Sequence, residues 1–206
     1  MQIGILDYGV GNMGSVKNAI THLGHTPIVS SDEAVLSTCD CLVLPGQGAF
    51  GTAISALKQT GLVPFIQDWV TEKKPFVGIC VGFQLLFEGS EEKGAHDGLG
   101  LLPGKFKHFP ENIGLSIPHM GWNPLQITQD INGVFDTDDT APFVYFVHSY
   151  YMPVSDSLDG GLSATAKYGV PFVAVVQREN LLACQFHPEK SGDVGIGILE
   201  RFFASL

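Results

Sequence analysis

Pro75-Phe76-Val77-Gly78-Ile79-Cys80-Val81-Gly82-Phe83-Gln84-Leu85-Leu86-Phe87-Glu88 is the stretch on which the reading of this chain turns. Its first five residues are an apolar run suited to a buried strand, and Phe83 to Glu88 have helical character. Between them, Gly78-Ile79-Cys80-Val81-Gly82 has the form of a nucleophile elbow. Small residues on either side permit a sharp, strained turn that presents one side chain at the top of a sheet. Sulfur at a helix amino terminus meets partial positive charge that favours thiolate, and the first unpaired N–H groups there can stabilise an oxyanion. A buried structural cysteine would account for Cys80 alone. Glycine at both 78 and 82 favours the functional turn.

The corner belongs to a first half that alternates short apolar runs with amphipathic segments, the pattern of strands and helices wound into a parallel sheet. Strands are expected at residues 2–7, 26–30, 41–45 and 76–80. A helix over 12–23 would place Met13, Val16, Ile20 and Leu23 on one face and stop at Gly24, with further helices near 50–60 and 62–73 divided by Gly61 and Pro64. The middle changes character. Gly94 to Gly104 is glycine-rich and Lys105 to Gln126 is broken by Pro110, Pro118 and Pro124, so loops and short strands are expected. Later strands at Phe143 to His148, Gly161 to Lys167, Phe172 to Gln177 and Leu181 to Phe186 are too closely connected for crossover helices, which predicts antiparallel pairing. Tyr168-Gly169-Val170-Pro171 suits a hairpin turn, and Ile196, Leu199, Phe202 and Phe203 make the apolar face of a closing helix.

A length of 206 residues with 45% hydrophobic content fits one domain, 1–206, with a sizeable core. The net charge of -10 argues against non-specific binding to nucleic acid or anionic membrane, both of which reward clustered Lys and Arg. Met1-Gln2-Ile3-Gly4-Ile5-Leu6-Asp7 lacks a basic leader region, and no uncharged apolar run approaches bilayer length, so a cytoplasmic location is expected. Cys39, Cys41, Cys80 and Cys184 do not have the spacing of a secreted disulfide framework. Cys39-Asp40-Cys41 is tighter than the usual zinc pair and reads as ordinary thiols at the edge of a buried strand. No metal and no cofactor are expected.

Far along the chain, Gln185-Phe186-His187-Pro188-Glu189 offers a base and a carboxylate. Side chains at i and i+2 of an extended segment share a face, so Glu189 can accept one imidazole N–H while the other ring nitrogen faces sulfur. Cys, His and Glu are the parts of a thiol-based acyl-transfer site. A third motif, Leu44-Pro45-Gly46-Gln47-Gly48-Ala49-Phe50, ends a strand. Alone, Gly-x-Gly is a simple turn. Beside an elbow it is the natural second half of an oxyanion hole, since the amide after the nucleophile is usually joined by one from another strand-to-helix loop.

On these residues the chain resembles the triad-type, class I glutamine amidotransferases: Gly78 to Gln84 is similar to their cysteine elbow and Phe186-His187-Pro188-Glu189 to their His–Glu pair. Asp7 to Asn12, Pro45 to Phe50, Pro118 to Asn123, Tyr145 to Tyr150 and Gln185 to Ser191, in this order, more narrowly resemble the glutaminase subunits of imidazole glycerol phosphate synthases. The resemblance runs from end to end. It implies an α/β, flavodoxin-like fold with a mixed, mainly parallel central sheet flanked by helices and an antiparallel C-terminal part.

It also implies hydrolysis of L-glutamine to L-glutamate and ammonia, with ammonia channelled to a cyclase subunit of (β/α)8-barrel fold in a heterodimer. There it would meet a phosphoribulosyl-formimino aminoimidazole carboxamide ribonucleotide and yield imidazole glycerol phosphate, for histidine, and aminoimidazole carboxamide ribonucleotide. By the same resemblance Cys80 is the nucleophile, His187 the base and then acid, and Glu189 its orienter. Val81 and the Gln47-Gly48 peptide would supply oxyanion amides; Gln84, Glu92, His148, Ser149 and Tyr150 match the surroundings of glutamine; Asn12, Trp122, Tyr145 and Lys190 match the cyclase-facing mouth.

The family pattern often carries a small apolar residue where this chain has Gln47, whose larger polar side chain does not block an amide contribution. The resemblance couples a turn of this peptide to partner binding, so weak glutaminase activity alone and strong stimulation by the liganded cyclase are expected. The rivals are a glutaminase for another synthase, of the anthranilate or guanylate type, a non-catalytic subunit of the same fold, and a peptide-cleaving cysteine hydrolase. The Pro118 to Asn123 and Tyr145 to Tyr150 blocks speak against the first, joint retention of Cys80, His187 and Glu189 against the second, and the resemblance to enzymes with a small pocket for free glutamine against the third.

Overall fold

Runs of Ile, Val, Leu and Phe without polar alternation suit strands covered on both faces, and such runs form the middle of the sheet. The computed structural model describes residues 1–131, 133–135, 141–154, 158 and 161–206. In chain order it contains β1 (Gln2–Leu6), α1 (Met13–His22), β2 (Thr26–Ser30), α2 (Glu33–Leu36), β3 (Cys41–Leu44), α3 (Phe50–Gln59), α4 (Val63–Thr71), β4 (Phe76–Ile79) and α5 (Val81–Leu85). There follow β5 (Phe87–Ser90), β6 (His96–Asp97), β7 (Leu102–His108), β8 (His119–Pro124), β9 (Gln126–Ile127) and β10 (Phe143–His148). The chain closes with β11 (Tyr150–Tyr151), β12 (Leu162–Tyr168), β13 (Val170–Arg178), β14 (Leu181–Cys184) and α6 (Gly192–Ala204).

The central sheet has the order β2-β1-β3-β4-β14-β13-β12-β9. From β2 to β14 neighbouring strands are parallel, and from β14 to β9 they are antiparallel. The α/β, mixed and mainly parallel sheet is therefore as expected. The pairing of β14 matters most for function. It lies antiparallel to β13 as its short connection dictates, yet parallel to β4, with Leu181 opposite Phe76 and Cys184 opposite Ile79. The carboxyl ends of β4 and β14 are thus side by side, and the two motifs that follow them emerge together. Ligand sites in open α/β sheets gather at such ends.

Four details differ from the sequence reading. The helix after Cys80 ends at Leu85, and Phe87 and Glu88 belong to β5, because Phe83, Phe87 and Phe106 pack edge to face at 5.0–5.6 Å and draw that segment into a second sheet, β11-β7-β5-β6. Helix α2 was unexpected; Asp32 starts it by accepting the Ala34 N–H at 2.8 Å. Strand β10 leaves the central sheet and pairs with β8 in a two-stranded ribbon. On α6, Ile198 joins Leu199, Phe202 and Phe203 in the core, while Ile196 is half-buried. Among the described residues no helix is long and apolar enough to cross a membrane. All four cysteines are buried and unpaired with one another.

Candidate active site

Cys80 sits between β4 and α5 with φ 53° and ψ -109°, outside the conformations that L-residues adopt without strain. The strain is held by the strands around it: the Cys80 N–H extends the sheet by donating to the Cys184 carbonyl at 2.8 Å. The neighbouring loop can lie this close to the turn only because residues 46 and 82 carry no side chain. A methyl at Gly82 would overlap the Leu44 carbonyl oxygen, and one at Gly46 would run into Val81 and the Gly82 amide nitrogen. The Pro45 to Gly48 loop therefore lies directly on the elbow.

His187 follows β14 by three residues and is buried, as is Cys80. Its Nδ1 donates to Glu189 Oε1 at 2.8 Å, and the ring lines the same cleft as Cys80. Burial alone would pull the imidazole down. The influence of Cys80 and of the hydrogen-bonded Glu189 more than reverses this and holds it up at about 10. The Glu189 side chain is almost wholly buried, and its Oε2 has no hydrogen-bond partner among the described residues. Burial pushes the Cys41 and Cys184 thiols strongly up, and neither lines the cleft onto which Cys80 opens.

Sulfur opens onto a cleft of about 340 Å³ lined by Gln47, Gly48, Val81, Gln84, Glu92, Pro118, Val147, His148, Ser149, Tyr150, His187 and Lys190. Every residue expected to hold glutamine or an oxyanion therefore faces the same space as Cys80 and His187. The Val81 amide is the first of α5 and has no carbonyl within its own helix to donate to. Gly48 takes φ +82° and is exposed together with Gln47. Buried Gln84 donates through Nε2 to Gln185 Oε1 at 3.1 Å, which leaves its own carbonyl oxygen as the free end.

Of the residues expected at a mouth, Lys190 lines the cleft, and Trp122 and Tyr145 pack edge to face at 6.2 Å on the β8–β10 ribbon. Asn12 does not line the cleft; it caps α1, accepting the Ser15 N–H at 3.4 Å and donating to the Ser15 hydroxyl at 2.8 Å.

The structure adds residues that the sequence did not single out. Tyr8 donates to the Pro45 carbonyl at 2.6 Å under the loop, and burial, with Cys80 nearby, raises its pKa strongly. Ser191 donates to the His187 carbonyl at 2.6 Å and accepts the Tyr145 N–H at 2.9 Å, pinning the catalytic turn to β10.

His119 was noticed only within a motif. His148 Nδ1 donates to the Tyr150 carbonyl at 2.8 Å, so His148 Nε2 accepts from His119 Nδ1 at 3.1 Å. Burial lowers His119 to about 4 and His148 to about 3, keeping both rings neutral.

A strained cysteine elbow sharing a cleft with a His–Glu pair from the neighbouring parallel strand defines a class. The chain belongs to the family "Glutamine amidotransferase class-I", whose model matches residues 4–206. The fold is shared with a chain of PurLQS from Thermotoga maritima at a TM-score of 0.74 and 17% identity, covering 98% of this chain and 97% of that one.

Within the class, the chain is 47% identical over 206 residues to the imidazole glycerol phosphate synthase subunit HisH of Halalkalibacterium halodurans, covering 98% of this chain and 95% of that one. Imidazole glycerol phosphate synthase hisHF, chloroplastic, of Arabidopsis thaliana is 42% identical over 198 residues, which are 96% of this chain and 33% of that longer protein. By these likenesses the chain is a member of the HisH family of glutamine amidotransferases.

Proposed function

We propose that this chain is the glutaminase subunit of an imidazole glycerol phosphate synthase, acting in the cytoplasm and pairing with a (β/α)8-barrel cyclase as a heterodimer. The observation that carries the chemistry is the set Cys80, His187, Glu189 on the ends of β4 and β14, His187 bonded to Glu189 and sharing with Cys80 the lining of a cleft sized for one amino acid.

In the first step His187 takes the Cys80 thiol proton on its sulfur-facing nitrogen as Sγ bonds to the side-chain carbonyl carbon of glutamine, and the carbonyl electron pair moves to oxygen. The Val81 amide, joined by an amide of the Gln47-Gly48 peptide, receives that charge. Collapse of the intermediate breaks the C–N bond, and His187 gives the proton on its sulfur-facing nitrogen to the departing amine, which leaves as ammonia. Water then attacks the glutamyl thioester while His187 takes its proton, and thiolate leaves. Glu189 holds the imidazole in the tautomer that both steps need and balances its charge. Gln84 offers its carbonyl oxygen to the amide of the substrate, and Glu92 with the His148 to Tyr150 segment holds its amino and carboxylate groups.

Ammonia leaving this cleft would pass to the cyclase. Met120, Trp122 and Phe143 are exposed on the β8–β10 ribbon, and Val147 on the same ribbon lines the cleft, so an apolar surface continues from the mouth. Such a patch suits a protein partner. Trp122, Tyr145, Lys190 and Asn12 are assigned to this contact or to the ammonia path. The hisHF chain of Arabidopsis, longer than this one, supports a joined partner.

The experiment is glutamate release by the purified chain, alone and with the barrel cyclase and its nucleotide substrate, with Cys80→Ala as control. Stimulation that disappears in the variant, while synthesis from ammonium persists, is expected. A folded chain that neither binds the cyclase nor responds to it would assign the same chemistry to another synthase.

A further inference from the structure

Helix α3 starts directly after the Gln47-Gly48 peptide, and its own sequence does nothing to start it. The N-cap is Ala49, in extended conformation with no side-chain hydrogen bond. Helix starts leave N–H groups without partners, and Ser, Thr, Asp or Asn at the cap ordinarily accepts one of them. Here the acceptor comes from elsewhere in the chain: Glu92 Oε2 accepts the Phe50 N–H at 2.7 Å. Among the described residues no other hydrogen bond to this carboxylate is seen. Glu92 is half-buried and stands between two spaces, the cleft that holds Cys80 and a second one of about 500 Å³ bounded by Ala49, Gly51 and Thr52.

The oxyanion loop is thus held at two points. Gly46 is wedged against Val81 and Gly82, and Phe50 is tied to Glu92. Between these anchors Gln47 and Gly48 are exposed, with Gly48 at a positive φ. Whatever moves the Glu92 carboxylate therefore moves one anchor of the peptide that must face the oxyanion.

We infer that Glu92 is a positioning residue for the oxyanion hole, fixing the start of α3 through the Phe50 amide while presenting the same carboxylate to the cationic α-amino group of the substrate. This rests on the glutaminase reading of the cleft. A carboxylate has acceptor sites for both partners. Substrate ammonium on one oxygen holds Glu92 in place, and Glu92 holds the loop, so filling the amino-group subsite and setting the oxyanion peptide are one linked event.

Two substitutions separate the roles. Glu92→Gln keeps an oxygen for the Phe50 N–H and loses the charge, so in the complex with the cyclase KM should rise about 10-fold or more with kcat within ~3-fold of wild type. Glu92→Ala loses both, so kcat should fall about 10-fold as well, and adding Ala49→Asp, which supplies a local cap, should restore most of kcat while KM stays high. The inference is overturned if Glu92→Gln loses kcat as fully as Glu92→Ala, or if Ala49→Asp restores nothing.

Hydrogen exchange of the amides opening α3 gives a second readout that needs no glutamine. Protection should drop in Glu92→Ala and be kept in Glu92→Gln. Unchanged protection in Glu92→Ala would remove the cap role even with the glutaminase intact. Loss of protection in a protein that never turns over glutamine would instead leave the cap standing and remove the functional reading.

Discussion

The two walls of the cleft are built to different standards of rigidity. On one, Cys80, His187 and Glu189 have buried side chains, His187 is hydrogen-bonded to Glu189, and the group is held by β4, β14 and Ser191. On the other, Gln47 and Gly48 are exposed, and the hold on them comes through flanking residues: Pro45, bonded by Tyr8, Gly46 and Phe50. The proposed nucleophile and base are therefore assembled by the sheet itself, whereas the amides assigned to the oxyanion include those of a short exposed span whose glycine takes a positive φ. If activity is to respond to a partner, the second wall is where little energy is needed.

The comparison can be broken at its rigid side first. Cys80→Ala should lower glutamate release by on the order of 10⁴-fold or more, because members of a catalytic unit fail together. Glu189→Gln should cost on the order of 10²–10⁴-fold by losing the charge that orients and supports the imidazole. In an NMR titration the same variant should bring His187 down from its raised value, and an unmoved His187 would mean that Glu189 does not hold it.

The loop wall should be more tolerant. Gly48→Ala places a side chain at φ +82° and should cost about 1 kcal/mol of stability and ~10-fold in stimulated kcat, read by denaturant unfolding and by turnover with the cyclase. No change in turnover would show that the loop is not the adjustable part.

A smaller effect sharpens the picture of the rigid side. His119 and His148 stay neutral when folded, with values near 4 and 3 against an unfolded value of 6.5. The unfolded chain then binds more protons as pH falls below about 6.5, so stability is present above that pH and declines toward pH 4, by at most ~1.4 kcal/mol per pH unit for each ring. Urea unfolding between pH 7 and pH 5 measures the slope, and a flat profile would deny the buried neutral pair.

Much of the rigid wall was legible in the sequence because its signals are local. Two glycines flank Cys80 within five residues, and His187 and Glu189 are two apart. What brings them together was legible only in part. Short connections foretold antiparallel pairing for β12 to β14, but nothing local says that β14 also lies parallel to β4. The loop wall's supports were hidden for the same reason. Tyr8 reaches Pro45 and Glu92 reaches Phe50 across 37 and 42 residues, and no spacing rule reports such contacts. The helix after Cys80 read too long because Phe83, Leu86 and Phe87 have helical spacing, and tertiary packing of Phe87 on Phe106 overrode it. Asn12 matched a mouth position in sequence, and its side chain also caps α1, a local role its place before that helix suits.

The most direct test of a fixed nucleophile beside an adjustable oxyanion wall is glutamate release in the isolated chain and in the complex with the liganded cyclase, with iodoacetamide labelling of Cys80 in the isolated chain as companion. The expected result is a thiol that is readily labelled, turnover that is weak alone, and stimulation by roughly 100-fold or more on binding, the scale that one oxyanion donor contributes. Full turnover by the isolated chain would contradict the account, because the oxyanion wall would then be set without a partner.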